Sequence, residues 1–171
     1  VAEDLKRVIY LGKRINDEST EAVITKLMEL DIAEPKSPIR FVINTFGGCV
    51  DSQFAIYDAM RVCSAPVLTV GIGKIMSAGV LLLASGAKGS RVIAKNARVM
   101  IHEVSSGGWN KISEFKNSAL EVERQQQQWE QLMAYETGNP IGDVRALMEK
   151  HIDQYMTAKE AVAFGIADTV V

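Results

Sequence analysis

The sequence predicts an α/β fold with a mainly parallel sheet and helical layers, and three observations carry that expectation. Short apolar, β-branched runs alternate with amphipathic segments of helical spacing, as at Arg7–Leu11, Ile39–Ile43, Val67–Val70 and Arg98–Ile101. Repeated β-α-β units with short apolar strands point to a mainly parallel sheet covered by helices, with active groups at strand carboxyl ends. The length, 171 residues, is enough for one domain with a sizeable core and too little for two of ordinary size.

The elements follow in order. Arg7–Leu11 reads as a strand closed by Gly12, and Ile15-Asn16-Asp17-Glu18-Ser19 opens a helix that carries Ala22, Val23, Leu27 and Leu30 inward and ends before Pro35 and Pro38. Ile39–Ile43 is the next strand, followed by the turn Asn44-Thr45-Phe46-Gly47-Gly48 and an amphipathic helix from Asp51 to Val62. The run from Val67 is expected to turn at Gly71 and Gly73 and to place Ser77 just before a buried helix, Ala78–Ala84. Past the loop GAKGSR, Arg98–Ile101 delivers His102 at a strand end. Residues 113–136 form one long helix without Gly or Pro. Its apolar residues are interrupted by Glu and Gln, so Trp129, Leu132 and Met133 are expected to meet a partner, and the Gln125–Gln128 run a solvated face. A short helix from Asp143 to Lys150, a capping box Thr157-Ala158-Lys159-Glu160 opening another, Gly165 ending it, and a last strand Thr169–Val171 complete the chain.

Composition narrows the function. Hydrophobic residues at 47% and charged ones at 23% are globular values, and a net charge of −2 gives no basic footprint for nucleic acid. No apolar run reaches the ~20 residues of a membrane span. Cys49 and Cys63 lack zinc-site spacing, so no metal site is expected, and they read as reduced thiols in an intracellular setting, the cytoplasm or an organelle interior.

The chemistry concentrates at two strand ends. Backbone N–H groups in the first turn of a helix have no intrahelical partner, so the turn at Ser77 suits an anion forming beside a nucleophile. A neutral imidazole at His102 can take the hydroxyl proton. Gly47-Gly48 lets the backbone approach a ligand and turn a second N–H outward. Each feature has a plain structural reading: an N-cap for Ser77, a packed ring for His102, a tight turn for the glycines, a loop cap for Asp153. His151 competes as a base but has no serine turn beside it.

Together the stretches RVIYLG, INTFGG with AIYDAM, SAGVLLLASGAKGSR, NARVMIHE and DQYMTAKEAVAFGIAD closely resemble the Clp protease proteolytic-subunit (ClpP) family from Leu5 to Val171. The resemblance implies a ClpP/crotonase-like head, residues 1–102 and 137–171, with a strand-plus-helix handle at 103–136. It makes Ser77 the nucleophile, His102 the base, Asp153 the residue orienting that base, and the N–H groups of Gly48 and Ala78 the oxyanion hole. Val104, Ser105, Ser106, Gly107 and Gly108, with Trp109, would form a groove pairing with extended substrate. The implied activity is serine endopeptidase cleavage of unfolded polypeptides inside stacked heptameric rings, with no cofactor and with ATP used only by a separate AAA+ unfoldase. The chain departs from the family pattern at Phe46, where a proline is usual, at Met76-Ser77-Ala78-Gly79, at Ile152, where many relatives carry arginine, and at Arg40, Val42 and Val62 near ATPase-docking positions. The family's axial loop would precede Leu5. Alternative readings are a phage-type capsid-maturation protease, a non-catalytic ring subunit, and a crotonase acting on acyl-CoA.

Overall fold

The computed structural model describes residues 4–105, 111–148 and 152–171. After a 3-10 turn, Asp4–Arg7, the chain runs β1 Val8–Leu11, α1 Asp17–Ala33, β2 Ile39–Thr45, α2 Val50–Val62, β3 Val67–Met76, α3 Ala78–Ala84, β4 Val92–Ile93, β5 Arg98–Ile101, α4 Ile112–Thr137, α5 Ile141–Ala146, β6 Gln154–Thr157, α6 Ala158–Ala163 and β7 Thr169–Val170. The sheet order is β1-β2-β3-β4-β7, with β5 on β3 and β6 on β5. Every pairing is parallel except β5 with β6. The mainly parallel α/β sheet expected from the alternation is therefore present.

Local chemistry sets the helix ends. Asn16 caps α1 by accepting from the Ser19 N–H, and the Ser19 hydroxyl accepts in return from the Asn16 N–H. Thr157 and Glu160 form the expected box at α6. The Glu160 carboxyl lies below its usual range because the Thr157 backbone N–H, and then its hydroxyl, donate to it.

Two expectations about β3 and α5 need correction. No chain reversal occurs at Gly71 or Gly73, because β3 continues through both to Met76. Gly73 has φ +62° and sits where the register against β2 shifts, so it makes a bulge rather than a turn. Val70 and Gly71 pair with β4, whereas Lys74, Ile75 and Met76 pair with β5, so the sheet forks across this bulge. The helix expected from Asp143 starts at Ile141 and ends at Ala146, since Pro140 supplies a helix entry with its missing N–H at no cost.

Burial on the central strands alternates with a period of two. Ile39, Phe41 and Ile43 of β2 are fully buried under the helices, while Arg40 and Val42 on the opposite face are exposed or half-buried. Thus the parallel sheet is covered fully on one face only. α3 is different: Leu81, Leu82 and Leu83 are all 0% exposed, so this short helix is core on every side. At roughly 1.5–3 kcal/mol for each fully buried large aliphatic side chain, its burial holds the turn that precedes it.

α4 divides into two halves. Trp129 and Met133 are buried, and Leu132 packs half-buried beside them, within the core of the same chain rather than waiting for a partner. The i, i+4 spacing of Trp129 and Met133 gives a narrow seam that α3 and α5 cover. Toward the N-terminus, Ala119 and Leu120 are exposed. Glu136, near the C-terminal end, is 0% exposed at its side chain and meets Tyr57 Oη at 2.9 Å, Lys88 Nζ at 3.0 Å and Arg61 at 3.5 Å. Burial, then the hydrogen bond to Glu136, pushes the Tyr57 hydroxyl far above its usual range. Arg91 is the second tie. It donates to the carbonyls of Ala84, Glu136 and Gly165, at or beside the ends of α3, α4 and α6, and forms an ion pair with Asp168.

Candidate active site

Ser77 stands between β3 and α3 with φ 52° and ψ −124°, and it alone among the described non-glycine residues has a positive φ. Such a conformation costs on the order of 1–3 kcal/mol and persists only where the surroundings impose it. Here they do: the Ser77 N–H donates to the Met100 carbonyl of β5 at 2.8 Å, and the Val80 N–H donates to the Ser77 carbonyl at 2.9 Å. The Ser77 hydroxyl makes no capping bond to α3. Ser77 thus stands at the N-cap position of α3 without capping it through its side chain, and half-buried it lines a cavity.

The paired glycines are fitted against this turn. A Cβ on Gly47, at φ +91°, would lie 2.7 Å from both the Met76 carbonyl oxygen and Ser77 Cβ, and 3.0 Å from the Ala78 nitrogen. A side chain there is excluded by contact as well as by conformation. Gly48 forms a parallel bridge with Ile15: the Ile15 N–H donates to the Gly47 carbonyl and the Cys49 N–H to the Ile15 carbonyl, each at 2.9 Å. That pattern turns the Gly48 N–H to the opposite side of the chain, where it has no protein partner among the described residues. The Ala78 N–H, first in α3, is in the same position.

Two cavities meet at Ser77. The larger, about 530 Å³, is lined by Gly47, Gly48, Ser77, His102 and Ser105 and rimmed by Lys13, Arg14 and Lys74. The Lys74 ammonium lies over the Phe46 ring at 4.6 Å and near Asn44 Oδ1 at 3.4 Å, so neutral groups hold it. The smaller, about 40 Å³, is lined by Gly48, Gln53, Ser77, Ala78, His102, Val104, Ser105 and Trp129 among others. Ser77, His102, Gly48, Ala78, Val104 and Ser105, all singled out from sequence, are thus brought together.

Asp153 is exposed and lines neither cavity. Its place follows from the ladder. β5 and β6 pair Met100 with Tyr155 and Ile101 with Gln154, so the register carried one position further sets His102 opposite Asp153. Among the described residues no hydrogen bond joins Ser77, His102 and Asp153. Catalytic contacts of this kind are often long before substrate is bound. Ser106, Gly107, Gly108, Trp109 and the competing base His151 lie outside the described residues. Among the described residues no cluster of His, Cys, Asp and Glu could hold a metal ion.

Two residues of the site escaped the sequence reading. The Val104 N–H donates to Gln126 Oε1 at 2.8 Å, fixing the expected groove to α4, so Gln126 belongs to the site rather than to a solvated face. Gln125 is likewise bonded, to Asp51 at 2.8 Å, whereas Gln127 and Gln128 are exposed as expected. Gln53, on α2, is the other. Its helix position gave no sign that it lines the same cavity as Ser77.

The family model described as Clp protease matches residues 2–171 of this chain.

Proposed function

The chain belongs to the Clp protease family, which makes it a ClpP-like peptidase, and on that premise we propose that it is a serine endopeptidase acting on unfolded polypeptides through Ser77, His102 and Asp153. The observation that carries this reading is the strained turn at Ser77, whose hydroxyl does not cap α3 and which stands beside two N–H groups unpartnered among the described residues. A serine that only capped a helix would neither need positive φ nor leave its oxygen unused.

In the proposed reaction Ser77 Oγ bonds to the scissile carbonyl carbon while its proton passes to the imidazole of His102. The carbonyl oxygen becomes an oxyanion held by the N–H groups of Gly48 and Ala78. The C–N bond then breaks, and the leaving amine takes the proton from His102. Water, deprotonated by the same imidazole, releases the acyl group and restores Ser77. Asp153 would stabilise the imidazolium and fix its tautomer. No step calls on a metal or organic cofactor.

We assign the assembly and partners on family grounds as well: stacked, seven-membered rings of this chain, fed by an AAA+ unfoldase that alone consumes ATP, in the cytoplasm or an organelle interior. Exposed residues of α4 such as Ala119, Leu120 and Glu121, and the half-open sheet face with Arg40 and Val42, supply surface for such contacts.

The test is covalent labelling with a fluorophosphonate alongside hydrolysis of short unstructured peptides. Wild-type protein should label at Ser77 and turn peptides over, and Ser77→Ala should lose both, the rate falling by several orders of magnitude. Labelling that persists in the variant would place the nucleophile elsewhere. Absence of both in assembled wild-type protein would favour the non-catalytic ring subunit.

A further inference from the structure

Gln53 is 0% exposed, yet among the described residues neither its Oε1 nor its Nε2 has a hydrogen-bond partner. Burying an amide without partners costs a few kcal/mol, so a native fold keeps one where something else completes it. Gln53 lines the small cavity at Ser77 together with Gly48 and Ala78, whose N–H groups have no partner among the described residues, and with Trp129 and Val50. At about 40 Å³ that cavity has room for little more than a few waters or one modest side chain. Ser77, His102, Glu103 and Ser105 also line this cavity, and Gln53 is the lining residue whose buried side-chain polar atoms are orphaned.

Resting on the peptidase reading above, we propose that this cavity receives the side chain of the residue whose carbonyl is attacked, and that Gln53 makes it select an uncharged hydrogen-bonding side chain. The placement follows from stereochemistry. When the scissile carbonyl oxygen points at the Gly48 and Ala78 N–H groups, the side chain on the adjoining Cα is one bond away from that turn, and this cavity contains both donors. The choice follows from the amide, which offers both donors and an acceptor and is matched by a carboxamide or a hydroxyl. An apolar side chain would displace any water there and leave both amide atoms stranded.

The experiment uses acetylated peptides with a fluorogenic amide leaving group, identical except at the residue before it: Asn against its near-isostere Leu, and Thr against Val. We expect kcat/KM to favour Asn over Leu and Thr over Val by about tenfold, within the range that an unpaired buried polar group imposes. Gln53→Met keeps the volume and removes the polarity, so both ratios should fall to one or invert. Ratios are internal to each preparation and do not depend on the fraction of active protein. Equal or better turnover of Leu and Val by wild type would overturn the inference, as would ratios unchanged in Gln53→Met. A second readout needs no activity: without substrate, Gln53→Met and Gln53→Leu should melt at or above the wild-type temperature, because an orphaned amide is removed. A marked fall in both would show that the amide is satisfied within the fold, and would also overturn it. Failure of the peptidase reading looks different, since then no substrate of any kind is cleaved and fluorophosphonate does not label.

Discussion

Ser77 carries the price of the site in its own backbone. Because its φ of 52° is imposed by β5 and by the close seat of Gly47, Ser77→Gly should relieve the strain and stabilise the chain by about 1 kcal/mol in urea unfolding while abolishing hydrolysis. Unchanged or lower stability would mean that the turn is not strained. This position was legible in the sequence because an apolar strand, a serine and a small-residue helix leave only one kind of junction between them. Asp153 was legible only as a loop aspartate that could orient a histidine, and the family resemblance gave it that role. Gln53 and Arg91 were not legible at all, since helical phase says which residues share a face but not what the face meets. The arginine ending GAKGSR looks like any loop cation until three helix ends converge on it.

At the scale of elements, most helices and strands announced themselves by period and by capping, and the failures have physical causes. Glycines at 71 and 73 suggested a reversal, but Gly71 simply keeps clear of Ile75 and Leu83, and Gly73 makes a bulge inside a continuing strand. α4 misled because a two-residue seam is too narrow to register as amphipathic when Glu and Gln surround it, although Glu130 and Glu136 are themselves buried and paired. The two halves should respond differently to truncation. Met133→Ala should cost about 2–5 kcal/mol, whereas Leu120→Ala, on the exposed half, should change unfolding free energy by less than about 0.5 kcal/mol. Equilibrium denaturation of both variants decides it, and a large loss at Leu120 would reveal that another surface covers it.

For the whole molecule, Arg91 and Asp168 join the ends of three helices to the last strand. Hydrogen bonding from the buried Arg91 holds the Asp168 carboxyl below its ordinary range. A depressed folded value means that the stabilisation is complete above the unfolded value, about 3.9, and is lost as pH falls through the folded one. Asp168→Asn should therefore remove part of the acid dependence below about pH 4, and destabilise at neutral pH by about 3 kcal/mol because Arg91 stays buried without its counter-charge. Melting curves across pH 2–7 for both proteins test this, and identical acid slopes would refute it. The β5–β6 ladder has a consequence of a different sort. It sets Ile101 against Gln154, the neighbours of His102 and Asp153, by counting from paired residues, so that register does not depend on how far the chain wanders between the two strands. That excursion, with all of α4 and α5 in it, is to the ladder merely a closed loop, and lengthening a loop carries an entropic penalty that grows only with the logarithm of its size. The exposed stretch of this excursion around Ala119 and Leu120 can thus be lengthened or remodelled while the paired strand ends stay in register, whereas Trp129, Met133 and Val144 are held by the core.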